Sequence, residues 1–553
     1  MFIANTDHKE NLLEHWEKLL NPQQFTLLKK STGYQFYEIV FQHIEEEDFR
    51  CLYSEKYSAP NSPVNCLIGA IVYCRLQKWS HEQLENEIAF NIETKLALGL
   101  KDIESIPFCM RTIYNFKNRL SSYEVRTGID LIEQVFLKLT KKQLKALGIK
   151  TTIQRGDSVL LESGIRSYSR LALLVEVLRR LYGILDETDQ QTYNMLLQSY
   201  QIGGEHFVYK VPSDEIEMEL NNLATAYFTA YNGLKEKYKT LPVFQVFERV
   251  YEEHFKIEKE EDIDKIVLRP KEELGSDTLQ SPDDIEATFR SKRKESYSGF
   301  VALAIETCHP DNEVNLVTAL SVDTNNTDDA ILLNDQLDQL KKQCPDIKEL
   351  HVDGGMGSED IDIKAKKEKI KIIQTAVRGR TAKVQITVKG NEKKGFVVDC
   401  PNPKHSSINA IKTKTGYKAP FDLNTCHQCP LKLDCPAYRK QSKNKQTASF
   451  YFSANLVLRQ KRHEAIQTIP KSRRTIRAGV EGLMAQMHQG ERHTGKLKVR
   501  GLFKCKLHVL SMGIAINFRR IYSWLFPKYG SFFAFFIFLA SPFLTDALSR
   551  KNC

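Results

Sequence analysis

Apolar residues repeat with a helical period through residues 1–135, which predicts an N-terminal helical domain. Ser80 and Gln83 have the spacing of a capping box, the pair that opens a new helix. A later helix in the same region carries Lys117 and Arg119. Short helices with tight turns and basic side chains favour a DNA-binding, helix-turn-helix-like module. A plain helical bundle fits the same pattern equally well.

The rest of the chain alternates between strand-like and helical segments, which predicts a mixed α/β layer with helices packed on it. A turn at residues 310–312 predicts a hairpin between two of the strands. The candidate strands are residues 149–161, 299–307, 314–322, 347–352 and 370–377, and helices are predicted over residues 169–265 and 328–342.

These patterns divide the chain into seven segments. They are an N-terminal helical DNA-binding domain (1–135), the first part of a core sheet (145–165), a helical insertion (166–280), the core continued (281–390), a cysteine-rich insertion (391–450), C-terminal core helices (451–525) and an apolar tail (526–553). Residues 529–545 of the tail lack charge but contain Gly530 and Pro542. We therefore expect a buried or frayed helix there, and no membrane partner.

Composition and charge narrow the class of protein. Of the 553 residues, 42% are hydrophobic and 27% charged. These values exclude a mostly disordered chain, a collagen-like chain and a polytopic membrane protein. The net charge of +10 is concentrated, since residues 436–506 hold 17 Lys and Arg against 3 Asp and Glu. Such a stretch favours a nucleic-acid surface over a plain basic surface.

The twelve cysteines point to a metal rather than to disulfides. The chain starts without a basic segment and an apolar core, so we expect no signal peptide and a cytoplasmic location, where thiols stay reduced. Cys426, Cys429 and Cys435 are closely spaced, Cys400 precedes them, and together they could supply a tetrahedral thiolate set for Zn²⁺. His405 or His427 could replace one ligand, and a metal-free loop is the alternative. The other eight cysteines are expected to be buried apolar residues.

Three acidic residues lie at positions where a predicted strand or helix would expose a carboxylate to a ligand. Asp157 lies at the end of a candidate strand, and Asp353 lies at the tip of another, just before two glycines. Glu481 lies on a predicted helix and shares one face with Arg474, Arg477 and His488. Three convergent carboxylates could hold the two Mg²⁺ ions of phosphodiester chemistry. Each acid could instead serve as a cap, a turn residue or a surface ion pair.

The chain resembles the DDE-class transposases of bacterial insertion sequences, from about residue 57 to residue 520. The resemblance is carried by the order of several short motifs. They are Asp157-Ser158, SPDDIEAT at 281–288 before YSGF at 297–300, DTNNTDD at 323–329, HVDGG at 351–355, RAGVEG at 477–482, KVRGLFK at 498–504 and NFRR at 517–520.

This resemblance implies a DNA transposase with an RNase H-like catalytic core. The enzyme would cut DNA at the element ends and join the freed 3′-hydroxyl to target DNA, as a homodimer near the bacterial nucleoid. In the family, three acids bind Mg²⁺ or Mn²⁺, and that role passes to Asp157, Asp353 and Glu481. The residues expected to contact DNA phosphates are Arg474, Arg477, Lys498, Arg500 and Lys504.

The chain departs from the family pattern at two places. Family members often carry an aromatic residue shortly after the second acid, where this chain has Gly355-Met356-Gly357. Their Tyr-Arg-Glu-Lys signature survives only as Arg477 and Glu481, with Arg474 at the Tyr place and His488 at the Lys place. The alternative is therefore a catalytically inactive or repurposed transposase that acts as a zinc-containing DNA-binding protein.

Overall fold

The structure is a computed structural model of α/β class, as expected. It describes residues 1–6, 12–54, 59–260, 263–292, 295–374, 383–440, 446–470, 473, 475–488 and 494–529. Most of the apolar tail, residues 530–553, thus lies outside the described residues, and so does Arg474. No helix within these ranges is long and apolar enough to cross a membrane.

Eight helices form the N-terminal region. The capping box opens the fifth of them: Ser80 Oγ accepts from the backbone N–H of Gln83 at 3.1 Å, and Gln83 Oε1 accepts from that of Ser80 at 2.8 Å. The helices are α1 (Leu12–Leu19), α2 (Pro22–Lys30), α3 (Thr32–Ile39), α4 (Val64–Gln77), α5 (His81–Phe90), α6 (Ile92–Ala97), α7 (Met110–Thr127) and α8 (Leu131–Ala146).

The first strand, β1 (Ile153–Glu162), leads into a helical segment. That segment contains α9 (Arg170–Tyr182), α10 (Glu187–Leu197), α11 (Gly204–Lys210), α12 (Ile216–Tyr238) and α13 (Pro242–His254). The predicted helix over residues 169–265 is wrong at its end, where β2 (Phe255–Glu260) and β3 (Ile263–Leu268) form an antiparallel hairpin. Alternating apolar residues such as Ile266 and Leu268 fit a strand better than a helix.

The chain then completes one mixed sheet. Its elements are β4 (Thr288–Lys292), β5 (Glu295–Thr307), β6 (Val317–Thr324), α14 (Asp329–Gln343), β7 (Glu349–Val352), α15 (Glu359–Lys367) and β8 (Lys371–Gln374). The strand order is β6-β5-β1-β7-β8, and β4 pairs with the first part of β5 on the edge that β6 uses. β5 runs antiparallel to β1 and β6, whereas β7 is parallel to both β1 and β8. The predicted hairpin is confirmed as β5–β6.

The C-terminal part begins with short strands and ends with a long helix. Its elements are β9 (Thr387–Asn391), β10 (Gly395–Asp399), β11 (Ile408–Asn409), β12 (Ile411–Thr413), β13 (Gly416–Pro420), α16 (Leu423–His427), β14 (Tyr438–Lys440), β15 (Gln446–Phe452), α17 (Leu456–Thr468), α18 (Glu481–Met487) and α19 (Leu502–Tyr529).

Three hydrophobic cores organise the described residues. The largest joins the N-terminal helices, the mixed sheet and α19; Phe36 of α3, for example, meets Phe518 of α19 edge to face at 5.5 Å. A second lies inside the helical segment, between residues 171 and 279. A third, small core lies within residues 386–452 and includes Phe396, Phe421 and Cys426. The cysteine-rich segment therefore has apolar packing of its own.

Candidate active site

Asp157 and Asp353 lie at the same level of two neighbouring parallel strands. The β1–β7 register pairs Arg155 with His351, and each acid follows two residues later. Asp157 does not end its strand as expected but lies in the middle of β1, because β1 pairs with β5 as far as Glu162. Asp353 directly follows β7 and occupies the N-cap position of a single 3-10 turn, without a side-chain capping hydrogen bond. The structure thus brings these two predicted acids together.

Arg477 bridges the two carboxylates. Its Nη2 donates to Asp157 Oδ2 at 2.6 Å, and its Nη1 lies 3.4 Å from Asp353 Oδ1. The Asp157 side chain is 16% exposed and that of Asp353 is 45% exposed, so one acid is inner and the other opens to solvent. Burial raises the pKa of Asp157, Arg477 opposes this increase, and Asp353 adds to it. A cation thus already lies between the two carboxylates.

A buried charge network holds the backbone next to this bridge. Arg155 lies two residues before Asp157 on β1 and therefore on the same face of the sheet. Its Nε donates to Glu306 Oε1 at 2.6 Å, and its Nη1 donates to the carbonyl oxygen of Ile476 at 3.0 Å. Arg520 of α19 donates to the other Glu306 oxygen at 2.6 Å. The Glu306 side chain is only 1% exposed, so two arginines neutralise one buried carboxylate.

Gly479 lets the segment with Arg477 approach β1 closely. The segment forms a short 3-10 helix, Arg477–Val480, which packs against β1. A Cβ atom added to Gly479 would lie 2.0 Å from Arg155 Nη1. Sequence reasoning identified neither this glycine nor the Arg155–Glu306 pair. The available signal for the pair was two opposite charges on adjacent strands, which the register places directly across from each other.

Glu481 begins α18, one turn beyond Arg477, and is exposed. The predicted single helix is wrong in detail, because residues 477–480 are 3-10 and α18 ends before His488. α18 packs against β1 and α19 and buries Leu483 and Met487. Glu481 therefore lies on a helix that packs against β1. Among the described residues it forms no hydrogen bond or ion pair with Asp157 or Asp353.

The other residues predicted to contact phosphates differ in whether their side chains already have partners within the protein. Lys498 and Lys504 are exposed and have no ion pair among the described residues. Arg500 instead donates to the carbonyl oxygen of Gly164 at 2.9 Å and lies 3.6 Å from Asp283. The two lysines are thus the freer candidates for phosphate.

Two features beside Asp353 were missed by the sequence reasoning. A Cβ on Gly355 would lie 3.7 Å from Asp353 Oδ2 and 3.8 Å from Asp329 Oδ2, so a further carboxylate faces the same place. Asp329 already pairs with Arg290 at 3.1 Å. A cleft also adjoins Asp353; it is lined by Gly354, Gly357, Ser358, Glu359, Gln374, Arg459 and Arg462. Arg459 is exposed and is suited to contact an anion there.

The four predicted zinc ligands lie close enough together for the other three to act electrostatically on Cys426. Burial raises the pKa of Cys426 to about 11, and Cys435, Cys400 and Cys429 add to the increase. His405 Nε2 lies 3.4 Å from Cys426 Sγ. His427, the other candidate, instead makes a 2.6 Å contact to the hydroxyl of Tyr438. Of the remaining described cysteines five are buried, whereas Cys51 and Cys109 are exposed, which corrects the expectation for those two.

Neither the acids nor the cysteines are arranged as a finished metal site. Among the described residues, no group of three or more His, Cys, Asp or Glu side chains could hold a metal ion as placed. The ligand types nevertheless suit metal ions. Two carboxylates contact one guanidinium group, which occupies the place of a cation, and four thiols lie close to one another.

Comparison with known protein families gives two matches, both to domains of transposases. Residues 25–119 match a transposase domain (DUF772), and residues 399–522 match a transposase DDE domain. Over these two ranges the chain is similar to transposases, and the matches support the resemblance to the DDE-class transposases of insertion sequences. No curated protein and no solved structure gives a match. The second range includes the four clustered cysteines, Glu481 and most of α19.

Proposed function

We propose that the protein cuts and joins DNA strands at insertion-sequence ends by metal-dependent phosphodiester chemistry, with Asp157, Asp353 and Glu481 as the metal ligands. The observation that carries this proposal is the pair of carboxylates held at one level of two parallel strands around a shared cation. The strand order and directions of the mixed sheet support our proposal that residues 153–374 form an RNase H-like core.

The residues of this chain have distinct tasks in the proposal. Asp157 and Asp353 offer hard oxygen ligands, and Glu481 would complete the set from α18. Bound Mg²⁺ or Mn²⁺ would activate the attacking oxygen and stabilise the leaving one. Arg477 favours the ionised form of Asp157, because its charge opposes the rise in the pKa of that carboxyl group. Lys498, Lys504 and Arg459 would contact DNA phosphates.

Strand cleavage on element-end DNA tests the proposal. The Asp353→Asn substitution keeps the side-chain shape and removes the charge that attracts the cation. We expect Mg²⁺-dependent cleavage to fall on the order of a hundredfold or more, while DNA binding persists. Asp360→Asn, seven residues away on the exposed face of α15, is the matched control and should cleave normally. Undiminished cleavage by Asp353→Asn would refute the site.

The same assay separates the proposal from its alternative, a transposase without catalysis that only binds DNA. Nothing in the two matched domains favours that alternative. It would show as DNA binding by the wild-type protein without cleavage at any Mg²⁺ or Mn²⁺ concentration.

We further propose that the active complex is a homodimer, since joining requires two element ends. The mass of the complex with and without DNA measures this directly.

We also propose a structural zinc ion in the cysteine-rich segment, held by Cys400, Cys426, Cys429 and Cys435. His405 is the candidate replacement for one of them, because it lies against Cys426. Burial raises the pKa values of the Cys400 and Cys426 thiols, so these two are poor anions on their own, and a bound cation would reverse that effect. The small apolar core of this segment means that zinc would tighten an existing fold rather than create it.

A further inference from the structure

Basic side chains converge where the N-terminal helices pack against the start of α19. They come from α4, α5, α7, the segment before α19, and α19 itself. We call them the junction cluster: Arg75, His81, Lys117, Lys498, Lys504 and His508. The first three belong to the range that matches one transposase domain, and the last three belong to the range that matches the other. The cluster therefore lies at the joint between the two matched regions.

The junction cluster has buried donors without partners. Arg75 Nε and both ring nitrogens of His508 are buried and make no hydrogen bond, and His508 is 1% exposed. Lys117 Nζ can donate to His81 Nε2 at 3.2 Å, but this neutral ring nitrogen supplies no negative charge. In the part of the chain that the structure describes, no carboxylate forms an ion pair with any member. Buried polar groups are almost always hydrogen-bonded, so unpaired ones call for an explanation.

The cluster also holds like charges against one another. Burial lowers the pKa of Lys117 to about 8, and Arg75 and Lys504 add to the decrease. Burial lowers the pKa of His508 to about 3, with Arg75 and Lys498 acting in the same direction. His81 behaves similarly, its pKa lowered to about 4 by burial and then by Lys117 and Arg75. The Cys74 thiol opposes the shift of Lys117, but no carboxylate does, so the cluster lacks a permanent negative charge.

We propose that the junction cluster binds a phosphate group of the DNA backbone. This inference rests on the proposed function, because it takes DNA as the substrate. A phosphate would supply the missing charge and several acceptor oxygens to Arg75 and Lys117. Lys498 and Lys504 are exposed and would meet the same phosphate or its neighbour from the rim. One DNA segment would then bind both matched regions at once.

The test compares full-length variants that remove one charge each, Arg75→Gln and Lys117→Met. Lys141→Met is the matched control, because Lys141 is exposed on α8 and lies outside the cluster. Affinity for a labelled DNA duplex of random sequence is measured over a series of salt concentrations. Each cluster variant should bind several-fold more weakly and lower the salt slope by about one unit, whereas the control should match wild type.

Thermal melting without DNA supplies a second readout. A half-buried cation with no carboxylate partner opposes folding, so Lys117→Met should melt at a higher temperature than wild type even though it binds DNA more weakly. A residue that merely supports the fold would show the opposite sign. This measurement also shows that a weak-binding variant is folded.

The outcomes are distinguishable. If wild type binds DNA and both cluster variants keep its affinity and salt slope, the assignment of the junction cluster is wrong. If inorganic phosphate raises the melting temperature of wild type alone, relative to chloride at equal ionic strength, while the DNA slopes stay equal, the site takes free phosphate and the DNA assignment is again wrong. Wild-type protein that binds no DNA would instead contradict the proposed function.

Discussion

Arg477 shows how one side chain sets the charge state of the candidate site. It contacts both aspartates, and its own Nε is buried without a partner, so its position is dictated by the carboxylates. Such a pair contributes only while Asp157 is ionised. Because burial raises the pKa of Asp157, the folded protein keeps that proton to a higher pH than the unfolded chain does. The stability that Arg477 provides must therefore depend on pH.

We expect Arg477→Gln to destabilise the protein little in acid and by about 1–3 kcal/mol at neutral pH. The sign follows from ionisation: as the pH rises through the pKa of Asp157, the variant leaves two facing carboxylates without their shared cation. Urea unfolding at a series of pH values measures the difference from wild type. Arg459→Gln, which removes an exposed arginine of α17, should show no such trend. A pH-independent difference for Arg477→Gln would contradict the bridge.

At the scale of elements, strands and helices with strong patterns could be predicted, and their ends could not. The hairpin, α14 and the fifth-helix capping box follow from turn residues, periodicity and spacing that act locally. Asp157 was misplaced because the length of β1 depends on pairing with β5, which lies more than 130 residues away in the chain. The Arg477–Asp157 contact and the support from Arg155 and Glu306 depend on the same long-range pairing.

The turn before α18 should tolerate no side chain at Gly479. A Cβ there would displace the Arg155 guanidinium, which is held by Glu306 and by the Ile476 carbonyl, so Gly479→Ala should cost about 1–3 kcal/mol. Gly482→Ala is the matched control, because nothing lies within 4 Å of its added Cβ. It should be neutral or stabilise α18 by up to about 1 kcal/mol. Denaturant unfolding of both variants decides the matter; equal effects would contradict the close packing.

The cysteine-rich segment should bind about one zinc ion per chain. Cys426→Ser should abolish zinc binding, because Cys426 is the thiol whose pKa all three other cysteines raise and is therefore close to each of them. Cys51→Ser, at an exposed cysteine outside the cluster, should leave the metal content unchanged. Elemental analysis of the purified proteins measures both. Since residues 386–452 have a core of their own, removal of zinc should loosen this segment without unfolding the mixed sheet.

At the scale of the whole molecule, the largest hydrophobic core ties the N-terminal helices to the sheet and to α19. The helical segment and the cysteine-rich segment have separate cores and therefore attach to this body rather than complete it. The candidate site and the junction cluster both lie on the main body, and α19 contributes to each, through Arg520 and through His508. Residues that touch neither acid can thus affect the site through this helix.

Lys117 of the junction cluster makes the stability of this main body depend on pH. The folded protein lowers the pKa of Lys117 from 10.5 to about 8, through burial and then through Arg75 and Lys504. Between these two values the unfolded chain binds more protons, so the contribution of Lys117 to stability rises with pH there. Below pH 8 its charged form imposes the full cost, on the order of 3 kcal/mol for such a shift.

Lys117→Met should therefore increase the free energy of unfolding most below pH 8, and the gain should shrink towards zero by about pH 10.5. The difference between variant and wild type contains the titration of Lys117 together with the changes that its removal causes at His81 and Cys74, whose pKa values Lys117 lowers. Urea unfolding across this pH range measures it, with Lys141→Met as the control that should show no trend. A gain that stays constant with pH would show that Lys117 is not a half-buried cation whose pKa is lowered in the folded protein. In the presence of DNA the same substitution should lose its advantage, since a bound phosphate would compensate the charge only in wild type.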